Sequence, residues 1–371
     1  MKARVRDLMQ IMEQSFPVFL AEEWDNTGLQ VGDPDQVVQR LLIALDLDQA
    51  VLEQAREQKV DMVITHHPLI FKALKKLDYS QSQADMIRRL IQAGISVYAA
   101  HTNLDSAPNG LNQYLAETLG LIDIKPLFNA ITEELYKIVV FIPVTHLETV
   151  REAMAAAGAG HIGRYSDCTF SAKGTGTFRP GEDTNPWQGK TGKLEMADEF
   201  RLETVAYRES LPGILAAMQK AHPYEEIAFD LYRLENHGKT YCPGRCGRLQ
   251  NPSRLDDYAA FIKGRLGLDA VRVVGDIQRT IEDVAVVSGS GASFLDNCIQ
   301  QGVDLLVTGD LKYHDAKNAE AAGIALIDAG HQGTEQIAVQ MLYELFEAEK
   351  KYRNLEVSIL KAFQASAFKN I

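Results

Sequence analysis

The sequence predicts an α/β protein with a two-lobed core of internally repeated α/β units and an inserted ferredoxin-like α+β domain. Three observations lead to this prediction. Short apolar runs alternate with amphipathic helical segments, two parts of the chain resemble each other, and the stretch between them has a different pattern. Strands that alternate with helices are typical of units that build a largely parallel sheet. At 371 residues the chain is long enough for two or three domains.

The internal repeat pairs a segment near the start of the chain with one near its end. QKVDMVITHHPLIF, which begins at Gln58, matches QGVDLLVTGDLKYH, which begins at Gln301. Further along, GISVYAAHTNLD from Gly94 matches GIALIDAGHQGTE from Gly323. Each segment contains a short apolar run of the kind that a buried strand shows, and the second pair leads through a polar turn into a helical pattern. We therefore expect two related lobes.

The stretch between the two copies predicts a separate domain. Its pattern indicates strands at 136–142, 169–175, 200–206 and 227–234, and helices at 147–157 and 211–221. This βαβ–βαβ order is the ferredoxin-like pattern. We therefore expect an inserted α+β domain at 128–241, which splits the core into residues 1–127 and 242–371.

Histidines and carboxylates occur where predicted strands of both repeats end. His-x-x-x-acid appears at equivalent places in the two copies, and a pair of adjacent histidines ends another strand of the first copy. In open α/β sheets ligands gather outside the carboxyl ends of the strands, so we expect these side chains to share one cleft. The residues are His66, His67, His101, Asp105, His331 and Glu335.

This set of donors predicts two divalent metal ions per chain. Zinc, iron and manganese all accept imidazole nitrogen and carboxylate oxygen, so the pattern does not choose among them. Six donors exceed the four of a closed structural zinc site, and a carboxylate can bridge two ions about 3.5–4 Å apart. His314 and Asp310 follow the strand equivalent to the one that ends at His66, and they are candidates to line the same cleft.

Three other motifs are interpreted as structural. SGSGAS, from Ser288, follows a strand, and without a Walker lysine it predicts a tight turn rather than a phosphate cradle. HPYEE at 222–226 predicts a turn between helix and strand. Asp25 and Asn26 predict a turn, and the neighbouring Trp24 is expected in the core.

Composition excludes several classes of partner. The formal charge of −12, from 50 acidic and 38 basic residues, repels phosphate backbones, so nucleic acid is not an expected partner. The N-terminus lacks an apolar signal-peptide region, and no apolar stretch is long enough to span a membrane. The four scattered cysteines fit reduced thiols, so we expect a cytoplasmic protein.

Five motifs resemble those of the NIF-three-like dinuclear metal-centre family, whose members are often labelled GTP cyclohydrolase I type 2 homologues. They are THHPLIF, AAHTNLD, TGDLKYHDA, DAGHQGTE and WDNTGLQVG. The resemblance covers both outer segments, and the insert resembles the PII-like domain of longer bacterial members. It implies a toroidal homohexamer with sites that face an internal cavity. It also implies that His101 lines the site, that Glu335 is the bridge, and that the metal ligands are His66, His67, Asp105, His331 and Glu335.

Three functions remain open at this point. The first is a metal-dependent hydrolase of nucleotides or phosphoesters, in which two ions lower the pKa of a bound water toward about 7. His101 or His314 would then be the catalytic group that moves the proton. The second is a regulatory or adaptor protein with structural metals, whose insert binds a small molecule or a partner. The third is a metal chaperone or store.

Overall fold

The computed structural model describes residues 1–236 and 238–368, and it divides the chain into two compact units. The core unit combines residues 1–131 with the described residues from Tyr241 onward. The central unit is Thr132–Thr240, close to the 128–241 expected for the insert.

The first segment of the core unit alternates short strands with helices. It contains β1 (Ala3–Arg4), α1 (Val5–Ser15), β2 (Gly28–Val31), β3 (Val37–Val38), β4 (Arg40–Ala44), α2 (Gln49–Glu57), β5 (Met62–Thr65), α3 (Ser82–Ala93), β6 (Ser96–Ala99), α4 (Thr102–Ser106), α5 (Leu111–Thr118) and β7 (Leu121–Pro126).

The chain then passes through the central unit. The elements in order are β8 (Ile131–Thr132), β9 (Leu135–Pro143), α6 (Leu147–Ala156), β10 (Thr169–Phe178), β11 (Glu195–Tyr207), α7 (Leu211–Ala221), β12 (Phe229–Arg233) and β13 (Thr240–Tyr241). The two connecting strands, β8 and β13, pair with each other.

The second segment of the core unit repeats the alternation. It contains β14 (Arg245–Arg254), α8 (Leu255–Arg265), β15 (Arg272–Val274), β16 (Thr280–Ser290), α9 (Leu295–Gln301), β17 (Leu305–Gly309), α10 (Tyr313–Ala322), β18 (Ala325–Asp328), α11 (His331–Glu335), α12 (Ile337–Arg353) and β19 (Ser358–Lys361). Short 3₁₀ helices lie at Val18–Leu20, Val144–His146, Arg208–Ser210 and Ala292–Phe294.

A five-stranded sheet forms one half of the core unit, in the order β19-β4-β5-β6-β2. The first four strands are parallel, and β2 pairs antiparallel with β6. All residues of β5 and β6 are buried, because helices cover both faces of the sheet. α1 and α12 supply apolar side chains on one face, and α2 and α3 supply them on the other. Because β5 and β6 are parallel neighbours, their carboxyl ends meet at the same end of the sheet.

A six-stranded sheet forms the other half, in the order β15-β18-β17-β16-β14-β7. Its middle strands β16, β17 and β18 are parallel, and the outer strands pair antiparallel. The register reflects the sequence repeat: Thr65 pairs with Ala99 in the first sheet, and Thr308 pairs with Asp328 in the second. The strands that carry the repeated motifs thus end at equivalent points of the two sheets.

The central unit is a four-stranded antiparallel sheet in the order β10-β11-β9-β12, and α6 and α7 pack with it around one apolar core. The helix predicted at 211–221 is observed as Leu211–Ala221, and the strand predicted at 136–142 is Leu135–Pro143. The β10–β11 hairpin is longer than expected. Ten residue pairs, from Thr169 with Thr204 to Phe178 with Glu195, extend it beyond the strands expected at 169–175 and 200–206.

Two findings bear on the compositional expectations. Among the described residues, none of the helices combines the length and the hydropathy of a membrane span. All four cysteines are free thiols, and Cys242, Cys246 and Cys298 are buried.

His222 ends α7 and is held in one protonation state by its two hydrogen bonds. Nδ1 accepts a hydrogen bond from the backbone N–H of Tyr224 at 3.1 Å, and Nε2 donates one to the carbonyl of Phe141 at 3.0 Å. Burial lowers the pKa of His222. The folded central unit therefore favours the neutral ring.

We predict that the central unit loses stability as the pH falls below about 6.5, where an unfolded histidine gains a proton that folded His222 resists. Hydrogen–deuterium exchange of peptides from β9 and β12 measures this. Protection, corrected for intrinsic exchange, should fall between about pH 7.5 and about pH 5.5. The fall should be smaller in His222→Gln, and an equal fall in both proteins would contradict the assignment.

Candidate metal centre

Four imidazole rings meet at the carboxyl ends of strands from both sheets. His66 and His67 follow β5, His101 follows β6, and His331 begins α11 after β18. The ring centroid of His66 lies 4.9 Å from that of His67 and 5.2 Å from that of His101. The rings of His67 and His331, which come from different lobes, are 5.5 Å apart. The histidines that the sequence places at separate strand ends thus form one cluster.

Each of these rings is oriented through its Nδ1 atom. The partners are the carbonyl of Ala100 for His66 at 2.9 Å, Asp46 for His67 at 2.8 Å, Asp25 for His101 at 2.9 Å and Asp310 for His331 at 2.7 Å. Because Nδ1–H donates in each pair, the lone pair of a neutral ring lies on Nε2. This arrangement, with the second nitrogen on a carboxylate or carbonyl, is usual for metal-ligating histidines.

Glu335 places its buried carboxylate among three of these Nε2 atoms. Oε2 lies 3.1 Å from Nε2 of His331 and 3.2 Å from Nε2 of His67. Oε1 lies 3.6 Å from Nε2 of His66. Oδ1 of Asp105 is 3.9 Å from Nε2 of His66 and accepts a hydrogen bond from Ser288 at 2.9 Å. Oε2 of Glu335 therefore faces one histidine from each lobe, and Oε1 faces His66 of the first lobe.

The cluster contains buried polar atoms that the described residues do not satisfy. Nε2 of His66 and Oε2 of Glu335 are buried and make no hydrogen bond. Even so, imidazole Nε2 atoms lie 3.1–3.6 Å from the oxygens of Glu335. Buried atoms without a hydrogen bond cost free energy, which a cation bound between them would relieve. Two groups of residues each have donor atoms that lie within 4.8 Å of one another. One group is His66, His67 and His101, and the other is His67, His331 and Glu335. This donor chemistry fits a divalent metal.

The charges of the cluster support each other. Burial favours the neutral acid, but the neighbouring imidazoles of His331, His66 and His67 hold the pKa of Glu335 well below its usual value. Burial opposes protonation of His67, yet Asp46 and Glu335 raise its pKa to about 10. Without metal the imidazoles are thus counter-ions of Glu335, and a metal ion competes with protons for the same nitrogens.

The SGSGAS segment has a role that the sequence did not indicate. Gly289 has a φ of +62°, and a Cβ added there would lie 2.3 Å from Oε1 of Glu335. Its N–H donates to the hydroxyl of Thr334 at 2.9 Å. Residues 288–290 form the end of β16 instead of the expected turn, and a side chain at Gly289 would displace the carboxylate of Glu335.

The structure places the remaining candidates in different surroundings. Asp25 accepts hydrogen bonds from His101 and Thr102, which lower its pKa to about 2 although burial opposes the shift. Asp310 also holds a cluster histidine. His314 is exposed on α10, and its ring contacts Tyr313. Within the described parts of the chain, His314 belongs to neither group of potential metal donors.

Sequence reasoning missed Asp46, Trp24 and Phe71. Asp46 follows β4, next to β5 in the sheet, so the strand-end argument applied to β4 would have found it. Trp24 is 57% exposed rather than in the core, and its ring lies 5.9 Å from that of His101. Phe71 is also exposed, and its ring is 5.7 Å from that of Trp24. No periodicity marks these loop aromatics.

Comparison with known proteins places the chain among close relatives. The family model Duf34/NIF3 (NGG1p interacting factor 3) matches residues 3–365. The GTP cyclohydrolase 1 type 2 homolog of Halalkalibacterium halodurans is 41% identical over 353 residues, 94% of this chain and 95% of the relative. That of Bacillus subtilis is 40% identical over 326 residues, 88% and 87% of the two chains. The crystal structure of a Bacillus cereus protein related to NIF3 matches with a TM-score of 0.90 and 38% identity, over 100% of each chain.

We predict that Gly289→Ala lowers the affinity for divalent metal about 10–100-fold, because it displaces the carboxylate of Glu335. Gly302→Ala is the matched control. Gly302 also has a positive φ, +70°, but an added Cβ there meets no atom within 4 Å. Both variants carry the backbone penalty of about 1–2 kcal/mol. Zinc titration against a competing chelator measures the affinities, and equal affinities in the two variants would refute the steric argument.

Proposed function

We propose, since the chain belongs to the Duf34/NIF3 family, that it is a metal-dependent hydrolase with a dinuclear centre. The observation that carries this proposal is the pair of buried, unsatisfied atoms, Nε2 of His66 and Oε2 of Glu335. The relatives' name, GTP cyclohydrolase 1 type 2 homolog, favours a nucleotide or phosphoester substrate. The proposed ligands are His66, His67, Asp105, His331 and Glu335.

The distances support a division of these ligands between two ions. His66 and Asp105 lie on the Oε1 side of Glu335, and His67 and His331 lie on its Oε2 side. A carboxylate with one oxygen toward each group is the arrangement of a bridging ligand. Divalent ions bound there would supply Lewis acidity and make water more acidic at neutral pH. Zinc, iron and manganese all suit these donors.

The residues around the centre support a proton-transfer step and a planar substrate. Asp25 fixes Nδ1 of His101, so Nε2 is the atom that exchanges a proton with the reacting groups. Trp24 and Phe71 flank His101 with exposed rings, and exposed aromatic rings bind nucleobases by stacking. We assign proton transfer to His101 rather than to His314, because His101 belongs to the cluster.

We further propose that the central unit is a PII-like regulatory domain. Its strand order and its two helices support this assignment. A cavity within the unit favours a second, regulatory function, in which a small molecule binds away from the metal centre.

An activity assay with metal-loaded full-length protein tests the hydrolase. GTP and bis(p-nitrophenyl) phosphate should be hydrolysed, and Glu335→Ala should abolish turnover. His101→Gln should lower kcat about 10²–10⁴-fold, because it removes the proton-transfer group. His161→Gln, at an exposed histidine of the central unit, should leave the rate unchanged. A parent protein that is no faster than Glu335→Ala on these substrates would contradict the proposal.

A further inference from the structure

The central unit contains a cavity of about 390 Å³, which shares no residue with the metal centre. This volume lies within the range of about 300–1,000 Å³ that is usual for small-molecule sites. β9, β10 and β11 form one side, and the loop that contains Trp187 and the HPYEE turn form the other. The cavity thus includes the turn that the sequence predicted at 222–226 and the loop that follows β10.

Glu199 brings a buried carboxylate to this cavity. The residue is only 7% exposed, and its Oε1 accepts a hydrogen bond from the hydroxyl of Tyr224 at 2.9 Å. Oε2 lies against Gly176, where an added Cβ would come within 2.1 Å of it. Within residues 1–236 and 238–368, no group donates a hydrogen bond to Oε2. Oε2 is not one of the fully buried, unpartnered side-chain atoms of the described residues, so it is accessible and can accept a hydrogen bond from a ligand in the cavity.

Aromatic rings surround this carboxylate. The ring of Tyr224 lies 5.9 Å from that of Trp187 and 6.0 Å from that of Phe178. Burial and the neighbouring Glu199 raise the pKa of Tyr224, so its hydroxyl stays protonated and donates to the carboxylate. Aromatic faces beside a buried negative charge attract cations through the ring quadrupole. Their apolar area also binds a hydrocarbon body.

The charges of the lining exclude anions. Glu225 and Glu226 add two carboxylates to that of Glu199, and Arg179 is the one cation among the described lining residues. Nη1 of Arg179 donates to the carbonyl of Gly192 at 3.2 Å, so one of its N–H donors is engaged, and the three carboxylates outnumber this one cation. Phosphates and carboxylates would therefore be repelled. A bare metal ion would find a single buried carboxylate among rings, which is too few donors.

We infer that this cavity binds a small organic cation with N–H donors, an alkylammonium or guanidinium group on an apolar body. The N–H group donates to Oε2 of Glu199 and neutralises its charge, and the hydrocarbon part packs against Trp187 and Phe178. Neutral ligands of the same shape leave the carboxylate buried without a counter-charge. The site shares no residue with the metal centre. Binding of the organic cation would therefore be the event to which the proposed regulatory domain responds.

Tryptophan fluorescence tests this inference in the full-length chain. The protein has two tryptophans, so a Trp24→Phe background leaves Trp187 as the single reporter. Cyclohexylammonium, cyclohexanol and cyclohexanecarboxylate share one shape and differ in charge. Only the ammonium ion should give a saturable change. Glu199→Gln should weaken its binding about tenfold or more, and Glu209→Gln, at an exposed glutamate outside the cavity, should not.

Two outcomes would overturn the inference. One is an equal or stronger response to cyclohexanol or cyclohexanecarboxylate, and the other is an affinity for cyclohexylammonium that survives Glu199→Gln. If Glu199→Gln does not fold, the three ligands still decide the matter, because they are compared on a protein with an intact cavity.

Discussion

Glu335 is a carboxylate buried among three imidazole rings, and the arrangement of the core unit depends on keeping it there. A buried charge costs several kcal/mol unless it is paired and hydrogen-bonded. Here the pairing comes from His66, His67 and His331, which belong to both halves of the chain. Each of these rings is in turn held at Nδ1 by a carbonyl or a carboxylate. The centre of the cluster is therefore a charged carboxylate, and the outer hydrogen bonds at Nδ1 fix the orientation of the three rings around it.

The two sheets bring these groups together through one simple rule of parallel strands. β5 and β6 end together at one edge, and β17 and β18 end at the equivalent edge of the second sheet. One apolar cluster contains α1 and β4 from the first segment and α12 from the second. The core unit thus folds around residues that lie far apart in sequence, and the central unit is accommodated as a separate module.

Much of the candidate metal centre could be predicted from sequence, because its potential donors follow buried strands of two repeats. Their hydrogen-bond partners were found only in part. Asp310 was a candidate for the same cleft, and Asp46 follows a strand to which the same argument was not applied. The hydrogen bonds from His331 and His67 to these carboxylates leave no periodic signal. The central cavity was hidden for a similar reason. Glu199 stands in a strand of ordinary alternating pattern, and only the fold places it beside Trp187 and Tyr224. Trp24 was expected in the core because an aromatic side chain favours burial, but its loop leaves it exposed.

The central claim is that the cluster holds two metal ions, and anomalous diffraction from crystals grown with zinc or manganese tests it most directly. The account predicts two anomalous peaks per chain, about 3.5–4 Å apart. They should lie on either side of Glu335, within coordination distance of Nε2 of His66 and His67. A cluster without anomalous density, in crystals whose metal binds elsewhere, would contradict the claim and would mean that the histidines only stabilise a buried carboxylate.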